Sequence, residues 1–272
     1  MAEGIVFWLM KTLAITGLVA WLLLMNACIG KPHASETPLG RAEATRNQAV
    51  WPRVILWAWE RPEDLRFINP RRVGVSYLVK TIHIEHNVIT VHPNLNGLRV
   101  PAGTWMMACA RIERAGNFAL ADSTKEVDQM VSLLEPLAKF PYAKAVQIDF
   151  DATVSQRGFY RSLLDRLRQR LPRDMPLSIT ALASWCEGDD WISQLPVDEA
   201  VPMMFRMGPD GPSILFRLQS QGDFHEPLCR GSVGISTDEF VPHLAARRRL
   251  YIFNANGWTK AAFERAMANA KQ

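Results

Sequence analysis

The sequence predicts an α/β fold: a (β/α)8 TIM barrel with a β excursion replacing the helix after strand two, preceded by an N-terminal apolar leader. Three observations lead there. Apolar strand-like runs alternate with amphipathic helical stretches, which is the pattern of a parallel sheet covered by helices. The runs number eight: Val54–Glu60, Val73–Thr81, Thr104–Ile112, Ala145–Asp151, Leu177–Ser184, Glu199–Met207, Gly231–Ser236 and Leu250–Asn256. The chain has 272 residues, and once a short leader is set aside the remainder suits one large domain with a single core.

Composition agrees with a folded body. At 48% hydrophobic and 21% charged residues, the chain has enough apolar surface for a core and none of the bias of a disordered or collagen-like segment. Helices are best defined after strands three, four, seven and eight. Ser123-x-x-Glu126 and Ser236-x-x-Glu239 read as capping boxes, and Thr259 can cap the last helix. Tyr160, Leu163, Leu164, Leu167 and Leu171 share one helical face, with arginines opposite. After strand two the expected helix gives way to Ile82–Glu85, Val88–His92 and the turn-forming Asn94-Leu95-Asn96-Gly97. This excursion follows a strand's C-terminal end, so it is expected to form one wall of a cleft at the barrel mouth.

The first 27 residues differ from the rest. Lys11 precedes an apolar run from Leu13 to Met25, and Ala27 stands before Cys28. A cationic end, an apolar stretch and a small residue at the cleavage position describe a secretory signal. Ala27-Cys28 also resembles a bacterial lipobox, which implies lipidation of Cys28. An uncleaved signal anchor is the alternative, since Gly4 to Met10 extends the apolar stretch. Residues 28–50, with Pro32, Ser35, Pro38 and Gly40, read as a solvated tether, and residues 51–272 as the barrel. Either route places the barrel outside the cytoplasm, on the periplasmic side of the envelope, tied to a membrane.

The net charge is +4, and removing the leader leaves it unchanged because Glu3 and Lys11 go together. The arginines cluster at Arg166, Arg168, Arg170 and Arg173 and at Arg247–Arg249, with no interleaved aromatics. Such clusters read as solvated helix faces and give no nucleic-acid partner.

Side chains alternate along a barrel strand between interior and helix layer, so polar residues at every second position near a strand end mark the mouth. Strand four places Gln147, Asp149 and Asp151 inward if Val146, Ile148 and Phe150 face the helices. Strand one offers Leu56, Ala58 and Glu60 inward, with Trp57 and Trp59 against helices. Strand three offers Arg111 and Glu113, and strand eight Asn254, Asn256 and Trp258; Lys80, Ser184 and Arg206 come from strands two, five and six. Glu60, Glu113, Asp149 and Asp151 are the catalytic candidates, because chemistry in this fold resides at strand C-terminal ends. Lys80, Arg111, Ser184, Trp185, Arg206, Asn254, Asn256 and Trp258 are the substrate-binding candidates. Arg111 and Glu113 fit internal ion pairing equally well. Trp185 and Trp258 are placed either to stack on sugar rings or to lid the core.

Four segments carry a family resemblance: Trp57-Ala58-Trp59-Glu60-Arg61-Pro62, Gln147-Ile148-Asp149-Phe150-Asp151-Ala152, Thr180-Ala181-Leu182-Ala183-Ser184-Trp185-Cys186 and Val201-Pro202-Met203-Met204-Phe205-Arg206-Met207-Gly208. From about Trp51 onward the chain resembles the bacterial domain of unknown function family numbered thirty-one forty-two, which implies a glycosidase-like barrel without a proven reaction. It is also distantly similar to chitinase-type glycosidases, whose fourth strand ends in Asp-x-Asp-x-Glu with the Glu as general acid. Asp149 and Asp151 match that pattern, but Thr153 stands at the acid position. A hydroxyl cannot take that role, so Glu60 or Glu113 is expected to supply the proton if hydrolysis occurs.

Other chemistries find little support. Cys186 at the top of strand five and Cys229 before strand seven are placed at opposite barrel ends, too far apart to bridge. Strand geometry turns His83 and His86 to opposite faces, which gives no metal site with His92. No phosphate loop or dinucleotide motif implies a cofactor, and Ser184 has no evident histidine partner. The expected function is that of a cell-envelope glycoside hydrolase acting on a polysaccharide; the alternative is a non-catalytic glycan-binding or envelope-assembly lipoprotein. A metal-dependent deacetylase would need His and Asp on adjoining strand ends.

Overall fold

The computed structural model describes residues 51–270 except 86–87, 115–123 and 240–247. The leader, Cys28, the tether and Ser123 therefore lie outside the described residues. Among the described residues there are eleven strands: β1 Val54–Ala58, β2 Glu63–Asp64, β3 Val73–Glu85, β4 Val88–Pro93, β5 Leu98–Arg99, β6 Met106–Arg114, β7 Ala143–Asp149, β8 Leu177–Leu182, β9 Glu199–Met203, β10 Ser232–Ser236 and β11 Arg249–Phe253. Eight of them form a parallel barrel in the order β1-β11-β10-β9-β8-β7-β6-β3, closed by pairing of β1 with β3. These correspond to the eight runs read from the sequence.

The helices are α1 Thr124–Leu134, α2 Arg157–Arg170, α3 Ala183–Glu187, α4 Gly211–Gln221 and α5 Lys260–Asn269. On α2, Phe159, Tyr160, Leu163, Leu164 and Leu167 are buried against the barrel, as their spacing requires. Thr259 caps α5, accepting from the Ala262 N–H at 3.1 Å. Ser236 and Glu239 do not cap each other: Ser236 donates to Asp238, and Glu239 accepts from the Arg206 N–H at 2.7 Å.

The excursion is a hairpin. Beyond its barrel section β3 runs on to Glu85 and pairs antiparallel with β4. A register shift between Leu78 and Lys80 marks a bulge where β3 joins β6. Asn94 ties it down, donating its side-chain amide to the carbonyls of Leu78 at 2.7 Å and Trp59 at 3.3 Å. The extra residue inverts the phase of β3. Leu78 packs inside the barrel, whereas Lys80 emerges in the helix layer and donates to the Leu133 carbonyl at 3.0 Å.

Strand one also departs from the sequence reading. Trp57 and Trp59 fill the barrel interior with Ile55, Met107, Val201, Tyr251 and Phe253, while Leu56 and Ala58 face the helices. Both faces of β1 are apolar, so polarity could not set its phase. The interior accepts Trp57 because β10 contributes Gly234 there, and a Cβ on that glycine would lie 2.7 Å from the indole. Strand eight inverts for the same reason. Tyr251 and Phe253 point inward, which puts Asn254 on the other side.

Cys186 and Cys229 form a disulfide with Cα atoms 5.9 Å apart, contrary to the expected separation. The short helix α3 ends in the helix layer, where the segment before β10 returns past it and the Glu226 N–H donates to the Cys186 carbonyl at 3.1 Å. The mouth-to-base distance assumed from strand order is thus bridged by loop path. Among the described residues, no helix is long and apolar enough to cross a membrane.

Candidate active site at the barrel mouth

The barrel interior carries a polar column. At the base, buried Glu199 accepts from Arg249 at 2.6 Å and from the Tyr251 hydroxyl. Above it, Gln147 accepts from the Trp57 indole at 2.9 Å and from Ser76 at 2.9 Å, and donates to Ser178 at 3.2 Å. The Gln147 amide and both Glu199 oxygens thus find hydrogen-bond partners, as burial demands.

The column ends at Asp149, the last residue of β7. Parallel register sets Arg111 of β6 opposite it, and Arg111 Nε donates to Asp149 Oδ2 at 2.7 Å while Thr180 Oγ donates to Oδ1 at 2.7 Å. The Arg111 guanidinium also lies 4.8 Å from the centre of the Trp59 ring. Its other edge is 3.8 Å from Glu113, whose second oxygen is 3.1 Å from His83 Nδ1. Asp149 and Glu113 are therefore engaged in a charge network, the ion-paired reading of this pair.

Asp151 is different. It makes no hydrogen bond or ion pair among the described residues, and its side chain is open to water within the recess. Burial in that concave mouth, reinforced by the charge of Asp149 and opposed by Arg111, pushes its carboxyl up to about 6. Around it opens a cleft of about 860 Å³, a size that holds a small ligand or a few sugar rings. Its wall includes Trp59, Phe205 and Phe253; the latter two stack with ring centres 6.0 Å apart. The buried Trp59 Nε1 has no hydrogen-bond partner.

Of the residues singled out from the sequence, Glu60, Arg111, Glu113, Asp149, Asp151, Ser184 and Arg206 line this cleft. Glu60 is exposed at the rim and paired with Arg61 at 3.3 Å. Arg206 adopts a left-handed backbone (φ 52°) and lies 5.5 Å from the centre of the Phe253 ring. Five candidates fall elsewhere. Lys80 is in the helix layer. Trp185 is buried with its ring 4.7 Å from Trp191. Trp258 is buried too, donating its indole N–H to the Trp57 carbonyl at 3.2 Å, so it lids the core. Asn254 organises a turn, accepting from Thr237 at 2.9 Å and donating to the Gly257 carbonyl at 2.6 Å. Asn256 is exposed outside the cleft.

Among the described residues, none of the hairpin lines the cleft: His83, Glu85, Val88, Thr90 and His92 line a separate depression. His83 and His92 meet edge to face at 4.7 Å, while His86 lies outside the described residues. Among the described residues no cluster of three His, Cys, Asp or Glu is placed to hold a metal. Cys109 lies below Asp149, and burial, with that charge, pushes its thiol well above the ordinary range; it is no nucleophile.

Four contributors escape the sequence reading: Thr180, Trp59, Phe205 and Phe253. Thr180 had a signal, since Ser178 and Thr180 alternate with Leu177, Ile179 and Ala181. Trp59 was assigned to the wrong face. At the position of the chitinase-type acid, Thr153 starts a short helical turn, its N–H donating to the Gln156 side chain at 2.9 Å.

Residues 103–207 match a family described as a domain of unknown function (DUF3142). The matched stretch contains Arg111, Asp149, Asp151 and Thr180 and stops short of Phe253. It supports the family resemblance and carries no activity with it. No curated protein matches the chain.

Proposed function

We propose that this chain is a cell-envelope protein, tethered to a membrane through its leader or a lipid on Cys28, whose (β/α)8-type barrel binds a polysaccharide in the mouth cleft and hydrolyses it. The observation that carries this reading is the free Asp151 carboxyl in an open cleft with an aromatic wall. A carboxyl raised to about 6 keeps its proton near mildly acidic pH and can give it to a leaving sugar oxygen. Asp151 takes the proton-donating role in place of Glu60, because Glu60 stands at the rim paired with Arg61. Glu60, on the lining of the same cleft, is then the candidate second carboxylate. Arg111 and Thr180 hold Asp149 in place beneath the reacting bond. Phe205, partly exposed on the cleft wall, offers an apolar face to a sugar ring. The Cys186–Cys229 disulfide suits an oxidising compartment and so supports the extracytoplasmic address.

The test is release of reducing ends from envelope polysaccharides by the full chain. Asp151→Asn should lower turnover by about 10²–10⁴-fold, the range for loss of a general acid, and leave polysaccharide binding intact. Undiminished turnover in Asp151→Asn would remove the assignment. The second reading, a glycan-binding lipoprotein that does not cut, is favoured by the hydroxyl of Thr153 at the acid position. It requires wild-type protein to bind and release nothing, with Phe205→Ala weakening binding.

A further inference from the structure

The opposite end of the barrel holds a second cavity, of about 1050 Å³. It lies where the strands begin: Trp51 and Arg53 lead into β1, Arg71 and Arg72 precede β3, and Trp105 precedes β6. In this fold that end is ordinarily closed and contributes stability. Here its lining includes Arg53, Arg71 and Arg72 and not one Asp or Glu. All three arginines are exposed, and among the described residues none has a carboxylate partner. Close by, the lining turns apolar and aromatic. Trp51 and Trp105 meet with ring centres 5.4 Å apart, and Phe67 and Phe263 at 5.7 Å. Cations beside an apolar floor are complementary to an anion that carries an apolar body.

We propose that this basal pocket binds the headgroup of an anionic phospholipid, with its phosphate held by Arg53, Arg71 and Arg72 and its glycerol and first acyl carbons on Trp105 and Phe67. The guanidinium fork suits a phosphate. Trp51, on the pocket's lining, is also where the preceding 50 residues join the barrel. That the lipid comes from a membrane rests on the leader reading; the binding chemistry does not, and it is independent of the reaction assigned to the mouth. Bound this way, the barrel would rest base-down on an anionic bilayer with its cleft facing away.

The experiment titrates the full chain, held in neutral detergent micelles, with dihexanoyl phosphatidylglycerol and follows binding calorimetrically. Saturable binding is expected. The triple variant Arg53→Ser, Arg71→Ser, Arg72→Ser changes only exposed side chains without carboxylate partners, so its melting temperature without lipid should match wild type. Its affinity should fall by about 100-fold, roughly fivefold per arginine. The proposal is overturned by an unchanged affinity in that variant, by equal binding of dihexanoyl phosphatidylcholine, or by absence of saturable binding. Competition by inorganic phosphate at equal concentration would also overturn it, since the site would then take a free anion rather than a lipid.

Discussion

The two ends of the barrel interior each carry a carboxylate paired with an arginine, and they use the pair differently. At the base, Glu199 and Arg249 are both nearly inaccessible, and both Glu199 oxygens accept hydrogen bonds. Burial still raises its carboxyl, opposed first by Arg249, so the pair depends on both partners being present. At the mouth, Asp149 and Arg111 are similarly close, but Arg111 is a quarter exposed and a second carboxyl, Asp151, is left over. The Glu199–Arg249 pair inside the base is a closed electrostatic plug, separate from the arginines of the basal pocket; the pair at the mouth is the same device opened by one extra charge. Function is thus expected to reside where the charge balance is incomplete.

Breaking the arginine at each end tests the contrast. Arg249→Met should cost about 3–5 kcal/mol, because it strands a buried carboxylate, and should leave polysaccharide binding per folded molecule unchanged. Urea denaturation at neutral pH measures it. Arg111→Met should cost less, about 1–3 kcal/mol, because water in the cleft can reach Asp149. This variant should also impair the reaction at the mouth. Equal stability losses for the two variants would show that the mouth is as closed as the base.

Much of this arrangement was legible in the sequence, and the failures share a cause. Strand four was read correctly because Gln147, Asp149 and Asp151 alternate with Val146, Ile148 and Phe150, so polarity fixes the phase. Strand three gave Arg111 and Glu113 by the same logic. Strands one and eight were inverted because Leu56-Trp57-Ala58 and Leu250-Tyr251-Ile252-Phe253 are apolar on both faces; the phase is set by Gly234, on another strand, making room for Trp57. Lys80 was misplaced by a single bulge, which a period-two reading cannot anticipate. The disulfide was missed because its two cysteines are brought together by loop path, not by strand order.

The smallest expected effect is the most specific to the mouth. The Asp151 carboxyl, ordinarily at 3.8, is raised to about 6 in the folded chain. Between those values the folded protein keeps a proton that the unfolded chain has released. The raised carboxyl therefore costs nothing below about pH 4, and stability falls as pH rises through 6, then levels off. Because water reaches this side chain, the fall should be no more than about 1 kcal/mol. Asp151→Asn cannot release the proton and should remove this component of the slope between pH 4 and 7, while Glu60→Gln should retain it. Denaturation of the three proteins across that range separates them. Parallel curves for wild type and Asp151→Asn would mean that the open carboxyl is not perturbed, and the mouth would lose the feature that sets it apart from the base.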